Sequence, residues 1–344
     1  MLLIPRLLGK TITAMSDTLI LSRREVATLL TIEECMDSVE AAFKLFAEGK
    51  ASPPKVLGIH TSNGGLHIKA GVMNLNSNYI IAKMNSNFPG NPSKLNLPII
   101  QGAIAVFNAE NGSLLALMDS IEITIVRTGA ATGIASKYLS KKNSEVITIY
   151  GCGNQGLISF RAIATSRDLK IAYLYDTNAS QAEMLSKQIA CFHKSVEVVR
   201  VDEVKSAIKE SDIVVTCTTS RKPIIDLEDV EPGTFIAAVG CDSEDKSEIQ
   251  PRLISASKVV SDFTEQSAAF GDLHHAIEQG LVTKSHVHAE LGQIIAGQKS
   301  GRVNDDEIIV FDSTGTALQD VAAASIVYEK ALVRGLGNRY NFQN

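Results

Sequence analysis

A glycine-rich turn near the middle of the chain is the first place where residue type and spacing could do chemistry. Gly151, Gly153 and Gly156 follow the apolar segment 146–150 directly, and a helix-forming stretch comes after them. At a turn from strand to helix, this spacing lets the backbone approach a pyrophosphate and lets the helix pack closely on the strand. The residues predicted to hold the phosphates are Gly151, Gly153, Asn154, Gln155 and Gly156.

Asp176 extends this prediction to the ribose. It closes the next apolar segment, twenty-five residues after Gly151, where a carboxylate can accept hydrogen bonds from both ribose hydroxyls. The same charge would repel a 2′-phosphate, so NAD(H) is favoured as the cofactor and NADP(H) remains an alternative. Thr218, just past a later strand, is a further candidate to touch the cofactor, and capping of that strand is the competing interpretation.

Three basic residues lie in segments that are not typical of a solvent-exposed surface. Lys55, Lys83 and Arg127 lie in apolar or Gly/Pro-rich stretches, and a substrate carboxylate would explain their positions. The alternative is a lysine whose charge extends to the surface. Asp242 follows the predicted strand 235–239 and could move a proton to or from a substrate nitrogen. An aspartate in an ordinary turn is the competing interpretation.

The histidines do not predict a metal site. His286 and His288 flank one residue, but no cysteine or carboxylate stands at ligand spacing, and the pair would diverge on a helix. His274 and His275 are expected at the surface. No metal is therefore expected.

The elements that would carry these residues fall into two halves. In the first half, hydrophobic periodicity predicts helices at 22–50 and 125–139 and hairpin strands at 56–81 and 101–117. The composition of 85–97 predicts a loop. From residue 146 onward, short apolar segments alternate with helical ones, which is typical of a parallel sheet covered on both faces. Residues 317–334 form a last amphipathic helix. The predicted fold class is α/β: a Rossmann-type doubly wound parallel sheet beside a mixed α+β domain.

Composition excludes several classes of protein. The chain has 344 residues and a formal net charge of −5, which disfavours a nucleic-acid partner. With 45% hydrophobic and 21% charged residues it can bury a large core, yet no apolar run reaches the roughly 18 residues that cross a bilayer. The five cysteines include no CxxC pair, so a reducing, cytoplasmic location is expected. Residues 1–14 are expected to be a loose extension, with Met15 as an alternative start.

Five ordered motifs resemble the ornithine cyclodeaminase/mu-crystallin family over residues 21–332. They are Ala82-Lys-Met-Asn85 with Asn87-Phe-Pro-Gly-Asn91, Leu117-Met-Asp-Ser120 with Arg127-Thr-Gly-Ala-Ala131, the glycine motif at Gly151, Val239-Gly-Cys-Asp242 with Lys246-Ser-Glu248, and Phe311-Asp-Ser-Thr-Gly315 with Asp320. The resemblance implies an enzyme that moves a hydride to or from the α-carbon of an amino or imino acid. It also implies a homodimer, with a substrate-binding and dimerisation domain of residues 1–131 and 314–344 and a Rossmann domain of residues 132–313.

The resemblance assigns roles to the candidate site residues. Lys83 and Arg127 match the family's carboxylate-binding lysine and arginine, and Asp242 matches the aspartate that acts as acid and base on the substrate nitrogen in cyclodeaminases. Thr314 falls in the loop that closes over the substrate. Thr128, beside Arg127, joins the residues expected to bind the cofactor.

Three positions bear on which member of the family this chain is similar to. Lys55 stands where the family often has an arginine, which keeps the charge but loses the bidentate fork. His67-Ile-Lys69 occupies the place of a glutamate that cyclodeaminases carry, so the cation Lys69 would bind a substrate ammonium poorly. Mu-crystallin-type ketimine reductases, in turn, lack the aspartate that this chain has at Asp242.

These features favour the NAD(P)H-dependent reduction of a cyclic imino acid, such as Δ1-pyrroline-2-carboxylate, to L-proline. The substrate carboxylate would be held by Lys55, Lys69, Lys83 and Arg127, and Asp242 would protonate the ring nitrogen. Three alternatives stay open: an ornithine cyclodeaminase with bound NAD⁺, an alanine-type amino-acid dehydrogenase, and a mu-crystallin-like protein that binds a small ligand without turnover.

Overall fold

The elements follow one another along the chain largely in the predicted order. The computed structural model describes residues 17–74 and 78–342, so the expectation about residues 1–14 lies outside the described residues. Within that part of the chain the strands are β1 Asp17–Leu21, β2 Lys55–Thr61, β3 Gly64–Asn74, β4 Asn78–Asn87, β5 Ile100–Asn108, β6 Leu114–Asp119, β7 Val146–Tyr150, β8 Ile171–Tyr175, β9 Glu197–Arg200, β10 Ile213–Thr216, β11 Arg221–Ile225, β12 Phe235–Ala238, β13 Ser247–Ile249, β14 Lys258–Ser261, β15 Val287–Glu290, β16 Ile309–Asp312 and β17 Asn338–Asn341. The α-helices there are α1 Arg23–Leu29, α2 Ile32–Ala47, α3 Asn91–Leu95, α4 Ile121–Leu139, α5 Asn154–Ala164, α6 Ala179–Phe192, α7 Val204–Lys209, α8 Pro251–Ala256, α9 Thr264–Phe270, α10 Asp272–Glu278, α11 Leu291–Ile295 and α12 Ala317–Arg334.

An eight-stranded parallel sheet forms the larger layer, in the order β9-β8-β7-β10-β12-β16-β14-β15. Its pairings are all parallel in the described residues. β10, β12 and β16 are buried along their whole length, as expected where helices cover both faces. The strand order reverses between β7 and β10, and ligands of such folds bind beside this reversal, at the carboxyl ends of the strands. The predicted Rossmann-type sheet is confirmed.

A seven-stranded mixed sheet forms the other layer, in the order β17-β1-β6-β5-β4-β3-β2. Strands β2 to β6 are antiparallel neighbours, and the turn from β5 to β6 has Gly112 at a φ of +75°. The C-terminal residues complete this layer, because β17 pairs with β1 and α12 packs against β3 and β4. The domain boundaries at residues 131/132 and 313/314 remain predictions.

The N-terminal helical stretch consists of two helices rather than one. Ser22 caps α1 and Thr31 caps α2, each through a capping box with the glutamate three residues later, Glu25 and Glu34. A second cap inside residues 22–50 ends one helix and starts another. Hydrophobic spacing continues across this break, so periodicity alone does not reveal it.

The segment 85–97 is only partly the loop that its composition predicts. Strand β4 continues through Asn85 to Asn87 because it pairs with β3 on one side and β5 on the other. A short helix, α3, then begins at Asn91 with Pro92 in its first turn, where proline is tolerated. Backbone pairing on both sides therefore outweighs the weak strand preference of asparagine.

Two long helices bring the site residues to the junction of the layers. α4 packs against α5 through Gly129 and Gly133, where a side-chain carbon would lie 2.7 Å from atoms of Ile158 and Ala162. α12 packs against α2, β3 and β4. None of the helices in the described part of the chain combines the length and apolar character needed to cross a membrane.

Candidate active site

The loop between β7 and α5 has the backbone geometry that a pyrophosphate requires. Gly151 has a φ of +107°, in the left-handed region that favours glycine. A side-chain carbon on Gly156 would lie 2.5 Å from the carbonyl oxygen of Gly151, so glycine lets α5 begin this close to β7. Gly153 caps α5, and no described atom beyond its chain neighbours lies within 4 Å of where its side chain would start. Asn154 and Gln155 form the first turn of α5. The loop therefore fits a phosphate approaching a helix N-terminus.

Asp176 lies immediately after β8, where the ribose of a dinucleotide is expected. Its two carboxylate oxygens accept hydrogen bonds from the backbone N–H groups of Cys152 and Asn178, each at 2.8 Å. These bonds fix the carboxylate against the glycine loop. Each oxygen retains a second lone pair that a ribose hydroxyl can use.

The two threonines predicted to touch the cofactor are engaged within the protein. The hydroxyl of Thr218 accepts from the N–H of Ser220 at 3.1 Å, and the N–H of Thr218 donates to Glu248 at 2.6 Å. Thr218 therefore shapes the loop after β10. Thr128 is buried on α4, where its carbonyl oxygen accepts from the hydroxyl of Thr132. Cofactor contacts for both threonines stay predictions.

Lys69, Lys83 and Arg127 gather around one buried carboxylate. Lys69 on β3 and Lys83 on β4 are cross-strand partners, so their side chains lie on the same face of the sheet. Lys83 Nζ lies 2.8 Å from Asp320 Oδ1, and Arg127 Nε lies 3.1 Å from the same oxygen. Arg127 also donates to Gln319 at 2.8 Å. Lys83 and Arg127 thus share one carboxylate, while Lys69 is near Asp320 and also near Asp242 and Asp262.

Burial and neighbouring charges both change the pKa values of Lys83, Lys69 and Asp320. Burial, together with the charge of Arg127, lowers the pKa of Lys83 to about 7 and also lowers that of Lys69. Burial alone would raise the pKa of Asp320, but Lys83 and Arg127 outweigh it and hold the pKa below its ordinary value. A substrate carboxylate would offset the positive charge of these cations, so the cluster is suited to an anion.

Lys69 is the member of this cluster that lies at the interface of the two layers. Its Nζ donates to the carbonyl oxygens of Thr314 and Gly315, at 3.1 and 2.5 Å. The hydroxyl of Thr314 is buried, donates to Asp262 at 2.9 Å and accepts from Gln266 at 2.8 Å. Thr314 therefore positions Lys69 through its backbone, while its predicted contact with substrate stays a prediction.

Lys55 does not join the cluster in this chain, so its predicted contact with the substrate carboxylate stays a prediction. It pairs with Ala70 across β2 and β3, whereas Val56 pairs with Lys69. Side chains alternate between the two faces along a strand, so Lys55 points away from Lys69 and Lys83. Its side chain is exposed on the opposite face of the sheet.

A cavity of 510 Å³ lies between the mixed sheet and the carboxyl edge of the parallel sheet. Lys69 and neighbouring residues of β2 and β3 form one wall, and residues 242–245, after β12, form the other with Phe270. The volume is in the range of about 300–1,000 Å³ that small-molecule sites occupy. Lys83, Arg127 and Asp320 lie beyond this wall, buried behind Lys69.

Asp242 stands in the cavity wall as an ionised carboxylate. Its side chain is 46% exposed and lies 2.6 Å from Lys246 Nζ. Partial burial would raise the pKa of Asp242, but Lys246, and then Lys69 and His67, outweigh it, so the pKa is lowered. At neutral pH Asp242 therefore meets a substrate as a base or as a stabilising anion rather than as an acid.

Glu248 is a site residue to which the sequence assigned no role. It is fully buried and accepts hydrogen bonds from the Thr216 hydroxyl and from the N–H groups of Thr218 and Gly240, at 2.8, 2.6 and 2.8 Å. Burial raises its pKa. Glu248 joins the loop after β10 to the loop that carries Asp242. The sequence signal that could have identified Glu248 is its place in the motif Lys246-Ser-Glu248.

The four histidines after residue 270 contact backbone carbonyl groups. Ring nitrogens of His286 and His288 lie 3.0 and 2.9 Å from the carbonyl oxygens of Ile254 and Ser300. His274 and His275, expected at the surface, lie in α10 and are only 20% exposed, with ring nitrogens 3.2 and 2.6 Å from the carbonyl oxygens of Ala268 and Lys246. Across residues 17–74 and 78–342, no group of three or more His, Cys, Asp or Glu side chains could hold a metal ion.

The order of these elements and motifs matches a known family. The model of the ornithine cyclodeaminase/mu-crystallin family matches residues 16–335. The chain belongs to this family. The predicted membership is thereby confirmed.

Individual relatives match nearly the whole chain. The alanine dehydrogenase of Archaeoglobus fulgidus is 38% identical over 327 residues, which are 95% of this chain and 99% of that protein. An archaeal alanine dehydrogenase dimer solved with bound NAD superposes with a TM-score of 0.90 at 37% identity, over 95% and 99% of the two chains. The Thermococcus litoralis Δ(1)-pyrroline-2-carboxylate reductase, solved with NADH and L-proline, gives 0.89 at 33% identity, over 93% and 99%.

These relatives confirm the predicted class of enzyme and of cofactor. The protein is an oxidoreductase of the kind that acts on CH–NH or C=N bonds, and its cofactor is NAD(H). The glycine loop and Asp176 are the residues that fit the cofactor. The relatives differ in the amino or imino acid named for each, so the substrate is a matter for proposal.

Proposed function

We propose that the protein reduces the C=N bond of a small α-imino acid to the L-amino acid, using NADH. The observation that carries the proposal is the ionised Asp242, which shares one cavity with Lys69. Asp242 follows β12, and parallel strands place it at the same edge of the sheet as the dinucleotide loop. A cyclic substrate such as Δ1-pyrroline-2-carboxylate needs these two contacts, an anchor for its carboxylate and a partner for its nitrogen.

Each residue has a separate task in this reaction. Lys69 binds the substrate carboxylate, and Lys83 and Arg127 strengthen the positive field behind it. Asp242 stabilises the protonated imine nitrogen, which makes the imine carbon more electrophilic. When bound, NADH supplies a hydride to that carbon. The resulting amine keeps its N–H and takes one more proton from water, relayed by Asp242. The reverse reaction returns that proton to water through Asp242.

A second candidate is the open-chain form of the same chemistry, an alanine dehydrogenase. The 38% identity to the Archaeoglobus fulgidus alanine dehydrogenase favours it. Asp242 and Lys69 would act as above, and only the substituent on the α-carbon and the source of nitrogen differ. Ornithine cyclodeamination is less favoured because Lys69 would repel a second substrate ammonium, and Asp242 is already paired with Lys246.

We further propose that the protein is a homodimer, joined through the exposed face of the mixed sheet. Leu57, Ile59 and Ile80 are exposed there, on the face that also carries Lys55. An apolar patch of this kind on a sheet is typical of a subunit interface. The solved archaeal alanine dehydrogenase is a dimer, which supports this proposal.

Three incubations test the reaction. The protein is given NADH with Δ1-pyrroline-2-carboxylate, NADH with pyruvate and ammonia, and NAD⁺ with L-ornithine, while NADH absorbance, ammonia and amino-acid products are measured. We expect NADH consumption and L-proline in the first. Faster consumption in the second would favour alanine dehydrogenation. Ammonia released from L-ornithine without net change in NADH, or no turnover in any incubation, would overturn the proposal.

A further inference from the structure

Two histidines in the cavity wall have no part in the reaction described above. His60 on β2 and His67 on β3 line the 510 Å³ cavity together with Lys69 and Asp242. Their ring centroids are 5.7 Å apart and the ring planes meet at 68°, an edge-to-face contact. His60 and His67, termed the imidazole pair below, thus form one polar patch beside the carboxylate anchor.

Two glycines make room for the imidazole pair. Gly58 lies directly across from His67 in the register of β2 and β3, and Gly65 lies across from His60. A side-chain carbon on Gly58 would lie 3.2 Å from His60 Nε2 and 3.5 Å from His67 Cδ2. Alternation along both strands puts the two rings on the same face as Lys69. Larger residues at these positions would crowd the rings.

Neighbouring charges act on His67 from three elements. Burial lowers its pKa, Asp242 opposes this, and the positive charges of Lys69, His60 and Lys246 lower it further. At neutral pH His67 is therefore uncharged, with one ring nitrogen that donates and one that accepts. In acid it becomes a cation beside Lys69.

The loop opposite the imidazole pair, residues 242–245, attracts an ammonium group on the substrate side chain only weakly. Asp242 is paired with Lys246 at 2.6 Å, and Asp245 is paired with Arg221 at 2.9 Å. Glu244, the remaining acidic residue of that wall, is exposed, where water and salt screen its charge. The cavity therefore has Lys69 on one side and largely neutralised carboxylates on the other.

We propose that the imidazole pair is the subsite for the substituent on the α-carbon of the imino acid. This inference rests on the proposed function. At neutral pH the subsite takes an uncharged substituent, such as a ring methylene or a methyl group, and rejects an ammonium. In acid the protonated His67 donates a charge-assisted hydrogen bond, and the same subsite takes a second carboxylate. The substrate class is thus a monocarboxylic imino acid with a neutral side chain, extended to dicarboxylic ones at low pH.

Binding of product amino acids to the NADH-loaded protein tests the subsite. L-proline, L-aspartate and L-ornithine are titrated at about pH 8 and about pH 4.5, with NADH fluorescence as the signal. The acidic point lies about two units below the ordinary histidine pKa because that of His67 is lowered. We expect L-ornithine to bind more weakly than L-proline at both. The affinity for L-aspartate relative to L-proline should rise about tenfold at the lower pH, as a charge-assisted hydrogen bond forms. The ratio cancels pH effects on the shared α-carboxylate.

The double variant His60→Gln with His67→Gln separates protonation from packing. Glutamine keeps a neutral donor and acceptor, so L-proline binding should stay within about threefold while the pH dependence of the ratio disappears. His193→Gln is the matched control, because His193 packs against Phe160 outside the cavity and should keep the wild-type ratio. A ratio that still rises in the double variant, or L-ornithine binding as tight as that of L-proline, would overturn the inference.

Failure of the proposed function would look different. The amino acids would then bind with the expected pattern, yet no imine would be reduced. If the imine is reduced and the pattern is absent, only the subsite assignment falls.

Discussion

Asp320 determines how the cations around it behave. As the shared partner of Lys83 and Arg127, it neutralises one charge and leaves the cluster positive. Burial, and then the charge of Arg127, lower the pKa values of Lys83 and Lys69, so the loss of a lysine proton relieves the positive charge of this cluster. Proton uptake and anion binding are therefore linked at this site.

Binding of a carboxylate ligand should weaken as the pH rises through about 7. The pKa of Lys83 is lowered to about 7 in the free protein, and a bound carboxylate raises it again. Affinity is therefore full below that pKa, and it falls by up to about tenfold per pH unit above it, because each binding event must then also take up a proton. The Kd of L-proline for the NADH-loaded protein gives the profile. Lys83→Met should bind weakly with a flatter profile; a flat wild-type profile would contradict this linkage.

Asp242→Asn should lower kcat by about 100-fold or more, since an amide neither stabilises the protonated imine nor accepts a proton. The Kd of NADH should not change, because the glycine loop lies elsewhere. Steady-state rates and a fluorescence titration measure the two quantities. Asp168→Asn removes an exposed carboxylate that also pairs with a lysine, Lys170, and should keep the wild-type rate. An Asp242→Asn enzyme with normal kcat would remove this residue from the mechanism.

At the scale of elements, two glycines between β7 and α5 have different tasks: Gly156 allows close packing, and Gly153 leaves room for the cofactor. The side-chain carbon of Gly156→Ala would lie 2.5 Å from the Gly151 carbonyl oxygen, so the free energy of unfolding should fall by about 1–3 kcal/mol. Gly153→Ala meets no such contact and should change it by less than about 1 kcal/mol. Its methyl group stands where the phosphates approach, so NADH binding should weaken about tenfold or more.

Urea unfolding followed by circular dichroism and an NADH titration distinguish the two glycine variants. Loss of stability in Gly153→Ala would mean that other atoms pack against this position, where the structure leaves open space. Normal NADH affinity in the same variant would exclude Gly153 from the cofactor site.

Local signals predicted the elements that carry the cofactor site. β7 and α12 have the expected bounds, because one is a short apolar run and the other an amphipathic stretch closed by polar residues. β1 and β17 were not predicted. They pair with each other from opposite ends of the chain, and the polar strand Asn338–Asn341 has no strand signal without its partner.

Long-range geometry explains what the sequence could not reveal about the substrate site. Lys83 and Asp320 are 237 positions apart, and only the packing of α12 on β4 brings them together. For Lys55 the missing information is the register of β2. Val56, Leu57 and Ile59 make both faces of that strand apolar, so alternation does not show which face meets the cavity.

For the whole molecule, the mixed sheet has two faces with different surroundings. α12 packs against β3 and β4 on the side of the sheet that carries Lys69 and Lys83, and the cavity opens there. The opposite face has Leu57 and Ile59 exposed by 56% and 49%. A second copy of the chain would cover this face without closing the cavity.

Leu57→Glu combined with Ile59→Glu should convert a dimer to a monomer. Symmetry places each glutamate twice in the interface, and a buried unpaired carboxylate costs several kcal/mol. Size-exclusion chromatography with light scattering measures the mass of each variant. Phe192→Glu changes a residue that is 71% exposed on α6 and should leave the dimer intact. The monomer should still bind NADH, because the glycine loop and Asp176 belong to one chain and lie away from this face. A double variant that remains dimeric, or a wild-type monomer, would place the subunit contact elsewhere or remove it.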